Sequence, residues 1–205
     1  MTEQVSDRAA LREIIDQPMA LAATKEMPVL DRHCRRFIEL SPFLCLSSMS
    51  AAGNADVSPR GDPPGFVKVL DEKTILIPDR RGNRRLDTMQ NILEQPSVAA
   101  IFFVPGIEET LRINGRASLT RDADLLADMA VQGQAPALGI KIEIDTVFFH
   151  CAKALKRSRL WDGDAQIDRG DFPRYGQIIK DQRNPGGTAD EIEDYIQTNY
   201  KKEMY

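Results

Sequence analysis

Histidine, cysteine and tryptophan are scarce in this 205-residue chain, at two, three and one. With only His33 and His150, a histidine-based metal centre would have to be built almost wholly from carboxylates. Cys34, Cys45 and Cys151 form no C-x-x-C pair and sit among apolar neighbours. They read as buried structural thiols rather than disulfides or metal ligands. Long apolar runs are missing too. None approaches the ~20 residues that span a bilayer, and the opening "MTEQVSDRAALREIIDQP" is too polar for a secretory signal, so the expectation is a cytoplasmic protein. There is no excess of positive charge: the net charge is -4. Non-specific nucleic-acid binding, which needs a broad basic face, is therefore not expected. The chain also lacks G-x-x-x-x-G-K-[ST], a post-strand G-x-G-x-x-G, H-E-x-x-H and G-x-S-x-G, which removes the common phosphate-loop, dinucleotide, zinc-protease and serine-hydrolase signatures.

What is present is ordinary globular material, 42% hydrophobic and 28% charged, enough to bury one core. The expectation is a single domain over 1–205, opened by helices over about 6–41 and closed by a helical tail over about 165–205. Ser6 and Asp31 precede helical stripes made by Leu11, Ile14 and Ile15 and by Cys34, Phe37 and Ile38, and Pro42 ends the second helix. Six β-rich runs follow: Phe43 to Ser50, Phe66 to Asp71, Lys73 to Asp79, Ser97 to Gly106, Thr110 to Thr120 and Ile140 to Ala152. Their short connections demand antiparallel pairing, and a small barrel would remove the exposed edges. The expected fold class from these runs is mainly β (α+β), a small antiparallel barrel with peripheral helices. Asn83 is expected to cap a helix from Arg84 to about Glu94 that buries Leu86, Met89 and Leu93. A second helix is expected from Asp122 to Val131. Thr188 and Glu191 spell a capping box for a last one.

Three constellations could carry chemistry. Arg80, Arg81, Arg84 and Arg85 crowd one turn between a strand and the helix that Asn83 would cap, where guanidinium groups and free N–H groups together favour an anion such as phosphate. The alternative is that these arginines are solvated or paired with Asp79 and Asp87. The stretch "ADVSPRGDPPGF", Ala55 to Phe66, reads as a proline-stiffened connection that places Ser58, Arg60, Gly61 and Asp62 together. Glycine there would let backbone approach a flat ligand closely. Third, "CAKALKRSRLWDGD" sets Trp161 beside Lys153, Lys156, Arg157 and Arg159, a pattern that suits either a planar π-ligand or a tryptophan pinning the tail. His33 reads as a solvated helix residue, and His150 as a core or edge histidine held in reserve as a base.

Taken in order, "SPRGD", "PDRRGNRRLDTMQNIL" and "KALKRSRLW" resemble the pyridoxamine 5'-phosphate oxidase-like family of FMN-binding split barrels, from about Phe37 to the C-terminus. The resemblance implies a homodimer with FMN at the subunit interface. It implies that Arg80, Arg84 and Arg85 hold the FMN phosphate, with Pro78 and Asp79 leading into the turn and Asn83 shaping it. It further implies that Ser58, Pro59, Arg60, Gly61 and Asp62 lie along the isoalloxazine ring, and that Lys156, Arg157, Ser158 and Trp161 approach from the partner subunit. The implied activity is that of an FMN-dependent oxidoreductase on a small molecule, with Arg60 stabilising negative charge on the reduced ring. The arginine-x-histidine pair that holds substrate phosphate in the true oxidases is absent near the C-terminus, so that substrate does not carry over. A flavin- or haem-binding module without turnover is the alternative.

Overall fold

The fold is that of a computed structural model, which describes residues 4–204. The ends of the expected 1–205 domain, residues 1–3 and 205, lie outside the described residues. Three helices open the chain: α1 (Arg8–Ile14), α2 (Ala20–Ala23) and α3 (Arg32–Leu40). Seven strands then form one antiparallel sheet: β1 (Phe43–Met49), β2 (Ala55–Gly61), β3 (Lys68–Val69), β4 (Thr74–Pro78), β5 (Ser97–Val104), β6 (Ile107–Thr120) and β7 (Gly139–His150). The helices α4 (Asp87–Glu94) and α5 (Ala123–Ala127) interrupt the strands, and α6 (Lys153–Ser158), α7 (Tyr175–Arg183) and α8 (Ala189–Glu203) follow them.

The sheet order is β2-β1-β5-β6-β7-β4-β3. Alternating residues of each strand turn to one core: Leu44 and Leu46 of β1, Val98, Ala100 and Phe102 of β5, Leu111 and Ile113 of β6, and Ile140 and Ile142 of β7. Ile75 and Ile77 of β4, near the other end of the order, join the same cluster. A sheet whose second and sixth strands share a core has curled on itself, which the right-handed twist of strands favours. It does not close. The hydrogen-bonded order ends at β2 and β3, so the fold is a split barrel rather than the edge-free closure that exposed edges would lead one to expect. Helix α3 plugs the core with Cys34, Phe37 and Ile38, and Asp31 caps it by accepting from the N–H groups of His33 and Cys34 at 2.9 and 2.8 Å.

Several expected elements move. Asp7, not Ser6, caps α1, whose apolar residues are exposed. Ala55–Gly61 is a strand rather than a connection. Pro59 is tolerated because β2 lies at a sheet edge, where a missing N–H costs no ladder bond. The run from Phe66 keeps only Lys68–Val69 as strand, although Phe66 and Val67 are buried. Helix α4 starts at Asp87, after Leu86 in a left-handed conformation at φ 63, so Asn83 is not its cap. It buries Thr88, Met89 and Ile92, while Leu86 and Leu93 face out. Polar bonds set that face: Asn91 donates to Ser48 Oγ at 3.0 Å, and Thr88 donates to Asp56 at 3.3 Å. Helix α5 stops at Ala127, with Met129 buried beyond it. Cys34 is buried and Cys45 half-buried, but Cys151 is exposed because β7 ends at His150, where the chain turns towards α6. The capping box of Thr188 and Glu191 forms on α8, and α7 packs against that helix.

Candidate functional site

The edge strand β2 and the segment leaving β4 meet across the split. Arg60 donates from Nη1 to Asp79 Oδ1 at 2.9 Å, and Arg80 donates from Nε to Asp62 Oδ2 at 2.5 Å. Arg80 also donates to the Met129 carbonyl at 2.8 Å, so its guanidinium is anchored on two sides. Between these contacts opens a cleft of about 360 Å³, within the range of small-molecule sites.

Ser58, Pro59, Arg60 and Gly61 line one wall; Pro78, Asp79, Arg80, Asn83, Arg84 and Arg85 line the other. The first two constellations of the sequence are thus one site. Asp62 stands behind the wall with its carboxylate on Arg80. The third constellation does not reach the cleft within the same chain: Trp161 donates from Nε1 to the Ile107 carbonyl at 2.9 Å, and Lys156 pairs with Glu108 at 3.1 Å. Arg157 and Ser158 bond back to carbonyls of α6 or its neighbourhood, at Lys153 and Leu155.

Charge in the cleft is unbalanced. Five arginines (60, 80, 81, 84 and 85) line it against three aspartates (56, 79 and 87), and with Asp62 on Arg80 counted the excess is one positive charge. Arg85 is paired with Asp87 at 2.7 Å, which raises the guanidinium pKa further, and Asn83 accepts from the Arg85 N–H at 3.0 Å, an Asx turn in place of a helix cap. One of the two expected pairings therefore forms as expected, on Asp87; Asp79 takes Arg60 rather than a neighbour from its own turn. Arg84 is largely exposed and has only a distant contact with Glu203 at 4.0 Å. Arg81 is exposed and makes no salt bridge among the described residues. Arg84 and Arg81 are the cations held ready at the mouth.

A hydrogen-bonded line crosses the floor. Thr88 Oγ1 bonds to Asp56 at 3.3 Å and to Ser58 Oγ at 3.2 Å, and Arg60 Nε donates to Ser58 Oγ at 3.3 Å. Asp56, Ser58 and Arg60 are the inward residues of β2 in its alternating pattern. Asp56, Thr88 and Phe66 were not among the expected site residues; period-two alternation along Ala55–Gly61 is the signal that points to Asp56 once the segment is taken as a strand. The cleft can bind and orient an anionic, partly planar ligand. Arg81 and Arg84 are free to meet a phosphate, β2 offers the backbone groups of a sheet edge, and Phe66, Pro59 and Met89 supply apolar surface. A second cleft of about 250 Å³ lies on the other side of the same arginine turn, against residues 134–137 and Met204.

No curated protein matches the chain. Solved structures with similar folds include HupZ of Group A Streptococcus, at 14% identity over 58% of this chain and 93% of that one, TM-score 0.48. An FMN-binding protein of Syntrophomonas wolfei subsp. wolfei aligns at 9% identity, 57% and 88% coverage and TM-score 0.44. The FAD binding protein of Mycobacterium smegmatis aligns at 12% identity, 60% and 97% coverage and TM-score 0.42. Residues 30–151, which include the whole sheet and every residue lining the larger cleft, match the family model described as pyridoxamine 5'-phosphate oxidase, and the chain belongs to that family.

Proposed function

We propose that the protein is an FMN-binding oxidoreductase acting on a small molecule, with the cofactor phosphate seated at the arginine turn. The observation that carries this reading is that Arg81 and Arg84, at the turn that lines the cleft, have no close carboxylate partner among the described residues. Both could meet a phosphate with charge-assisted, bidentate bonds. Asn83 shapes that turn through its bond to the Arg85 N–H. Ser58, Pro59, Arg60 and Gly61 would flank the ring, with Arg60 fixed by Asp79 and Ser58 as a preorganised cation beside it. Bound FMN would supply hydride or electron transfer, and the chain's part is to bind, orient and exclude water.

In this reading a homodimer completes the site. Lys156, Arg157, Ser158 and Trp161 would come from the partner subunit, since within one chain they bond elsewhere. The visible spectrum of the purified protein tests the cofactor. A yellow protein with flavin absorbance that survives gel filtration is expected; a colourless protein that takes up no added FMN overturns the reading.

A flavin module without turnover is the second reading. It is favoured by one observation: no histidine, cysteine, lysine or tyrosine lines the cleft among the described residues. Saturable oxidation of NAD(P)H by the FMN-loaded protein would exclude the module.

A further inference from the structure

The outer face of β6 and β7 carries a second concentration of positive charge, independent of the flavin reading. In their antiparallel register Thr110 lies opposite His150, Arg112 opposite Phe148 and Asn114 opposite Thr146, so these side chains share one face. Lys25 joins them from the segment leading to the Met27–Val147 bridge. Its Nζ stands 4.4 Å from the centroid of the Phe148 ring and donates to the Phe149 carbonyl at 3.4 Å. Arg112 Cζ stands 5.5 Å from the same centroid. Its Nε donates to Asn114 Oδ1 at 3.0 Å, and Asn114 donates in turn to Thr146 Oγ1 at 3.0 Å. The His150 ring packs against Phe148 with centroids 5.0 Å apart.

None of Lys25, Arg112 and His150 has a carboxylate partner among the described residues. Burial first, then Lys25 and Arg112, push the His150 imidazole below its ordinary pKa. Like charges gathered on a half-buried surface repel, and here they are held together by hydrogen bonds and by a shared aromatic face. Such a cluster is arranged in advance for a negative group placed among its members.

We propose that Lys25, Arg112 and His150, grouped around the Phe148 ring, form a second anion-binding site that takes a small ligand bearing a carboxylate or a phosphate. Lys25 and Arg112 supply the charge, His150 a ring N–H donor, and buried Phe148 the aromatic face on which both cations are packed. The site is distinct from the arginine turn. Arg112, Phe148 and His150 lie on the side of β6 and β7 opposite the core residues Leu111, Ile113 and Val147, and none of them lines the cleft. The anion bound here is therefore not the group bound at the turn of the same chain.

The chain has only two histidines, so proton NMR of the full-length protein reads the site directly, with exposed His33 as an internal reference and a His33→Gln variant to assign the signals. Inorganic phosphate and benzoate are titrated separately at constant ionic strength. The expected result is a saturable shift of the His150 resonance and a raised His150 pKa, with His33 unmoved. Arg112→Gln and Lys25→Gln should each weaken the apparent affinity about tenfold, the loss of one charge-assisted contact. Whichever anion saturates at the lower concentration names the ligand group. The site is overturned if His150 responds to neither anion below the concentration at which His33 begins to move, or if both substitutions leave the response unchanged. Should Arg112→Gln fail to fold, Lys25→Gln carries the test alone, because Lys25 lies outside the sheet.

Discussion

Arg60 and Asp79 bond at 2.9 Å across the split of the barrel, joining the first strand of the sheet order to the end of the sixth. Arg80 and Asp62 repeat the connection one step deeper, where the Asp62 side chain is 1% exposed. The walls of the cleft are thus held by opposite charges, and these contacts spend two of its five arginines on structure.

The two bridges should differ in weight. Asp79→Ala removes a charge-assisted bond from a pair that retains some solvent contact and should cost about 2 kcal/mol. Asp62→Ala strands an equally buried guanidinium and also empties the place of a carboxylate that is 1% exposed, against 24% for Asp79, and should cost about 3 kcal/mol or more. Urea unfolding of both variants checks the ranking; equal midpoints would show that burial does not separate them.

Exposed and anchored arginines should separate ligand binding from stability. Arg84→Ala should lower FMN affinity about tenfold through the loss of one charge-assisted contact while leaving the thermal midpoint nearly unchanged, because Arg84 touches little of its own chain. Arg85→Ala should lower FMN affinity similarly, and Arg80→Ala should reduce both affinity and stability. Fluorescence titration with FMN beside thermal melts gives the comparison. Full retention of FMN by Arg84→Ala would move the phosphate away from the turn.

The three thiols should react in order of burial. Exposed Cys151 should titrate first with a disulfide reagent, Cys45 later, and Cys34 only on unfolding. Burial, helped by Asp31, pushes the Cys34 thiol from 9.0 up to about 12. The folded state therefore holds this proton more tightly than the unfolded state. Its contribution to stability is complete below pH 9 and is lost as pH rises from 9 towards 12, by about 1.4 kcal/mol per pH unit. The difference between wild type and Cys34→Ala should shrink over that window; a constant difference would mean that Cys34 ionises normally in the fold.

Gly176 joins the two C-terminal helices. A Cβ there would lie 2.5 Å from the Ala189 carbonyl oxygen and 2.7 Å from the Glu193 nitrogen, both backbone atoms that cannot swing aside. Gly176→Ala should undock α7 from α8, seen as faster proteolysis beyond residue 165, with FMN retention intact. Loss of FMN together with the helices would make the tail part of the binding fold.

The sequence made the sheet legible where apolar residues alternate under β-branched enrichment, as in Ile140, Ile142 and Ile144 of β7, and it made α3 legible through Asp31 and the Cys34, Phe37, Ile38 stripe. It also placed Arg60 and the arginine turn in one reading, because their types and order are local facts. It hid β2: an edge strand with one solvent-facing side can carry Pro59 and Gly61, residues that elsewhere mean a turn.

The start of α4 was hidden for a related reason. Asn83 has the chemistry of a cap, and only the packing of Thr88, Met89 and Ile92 on the sheet selects Asp87 as the first helical residue. Composition and pattern determined that this chain builds an antiparallel sheet, a helical plug and one concentrated run of arginines. Which arginines bind their own aspartates and which remain for a ligand was decided by tertiary structure alone, because Asp62 and Asp79 reach Arg80 and Arg60 only after a sheet of seven strands has curled to bring its distant strands together.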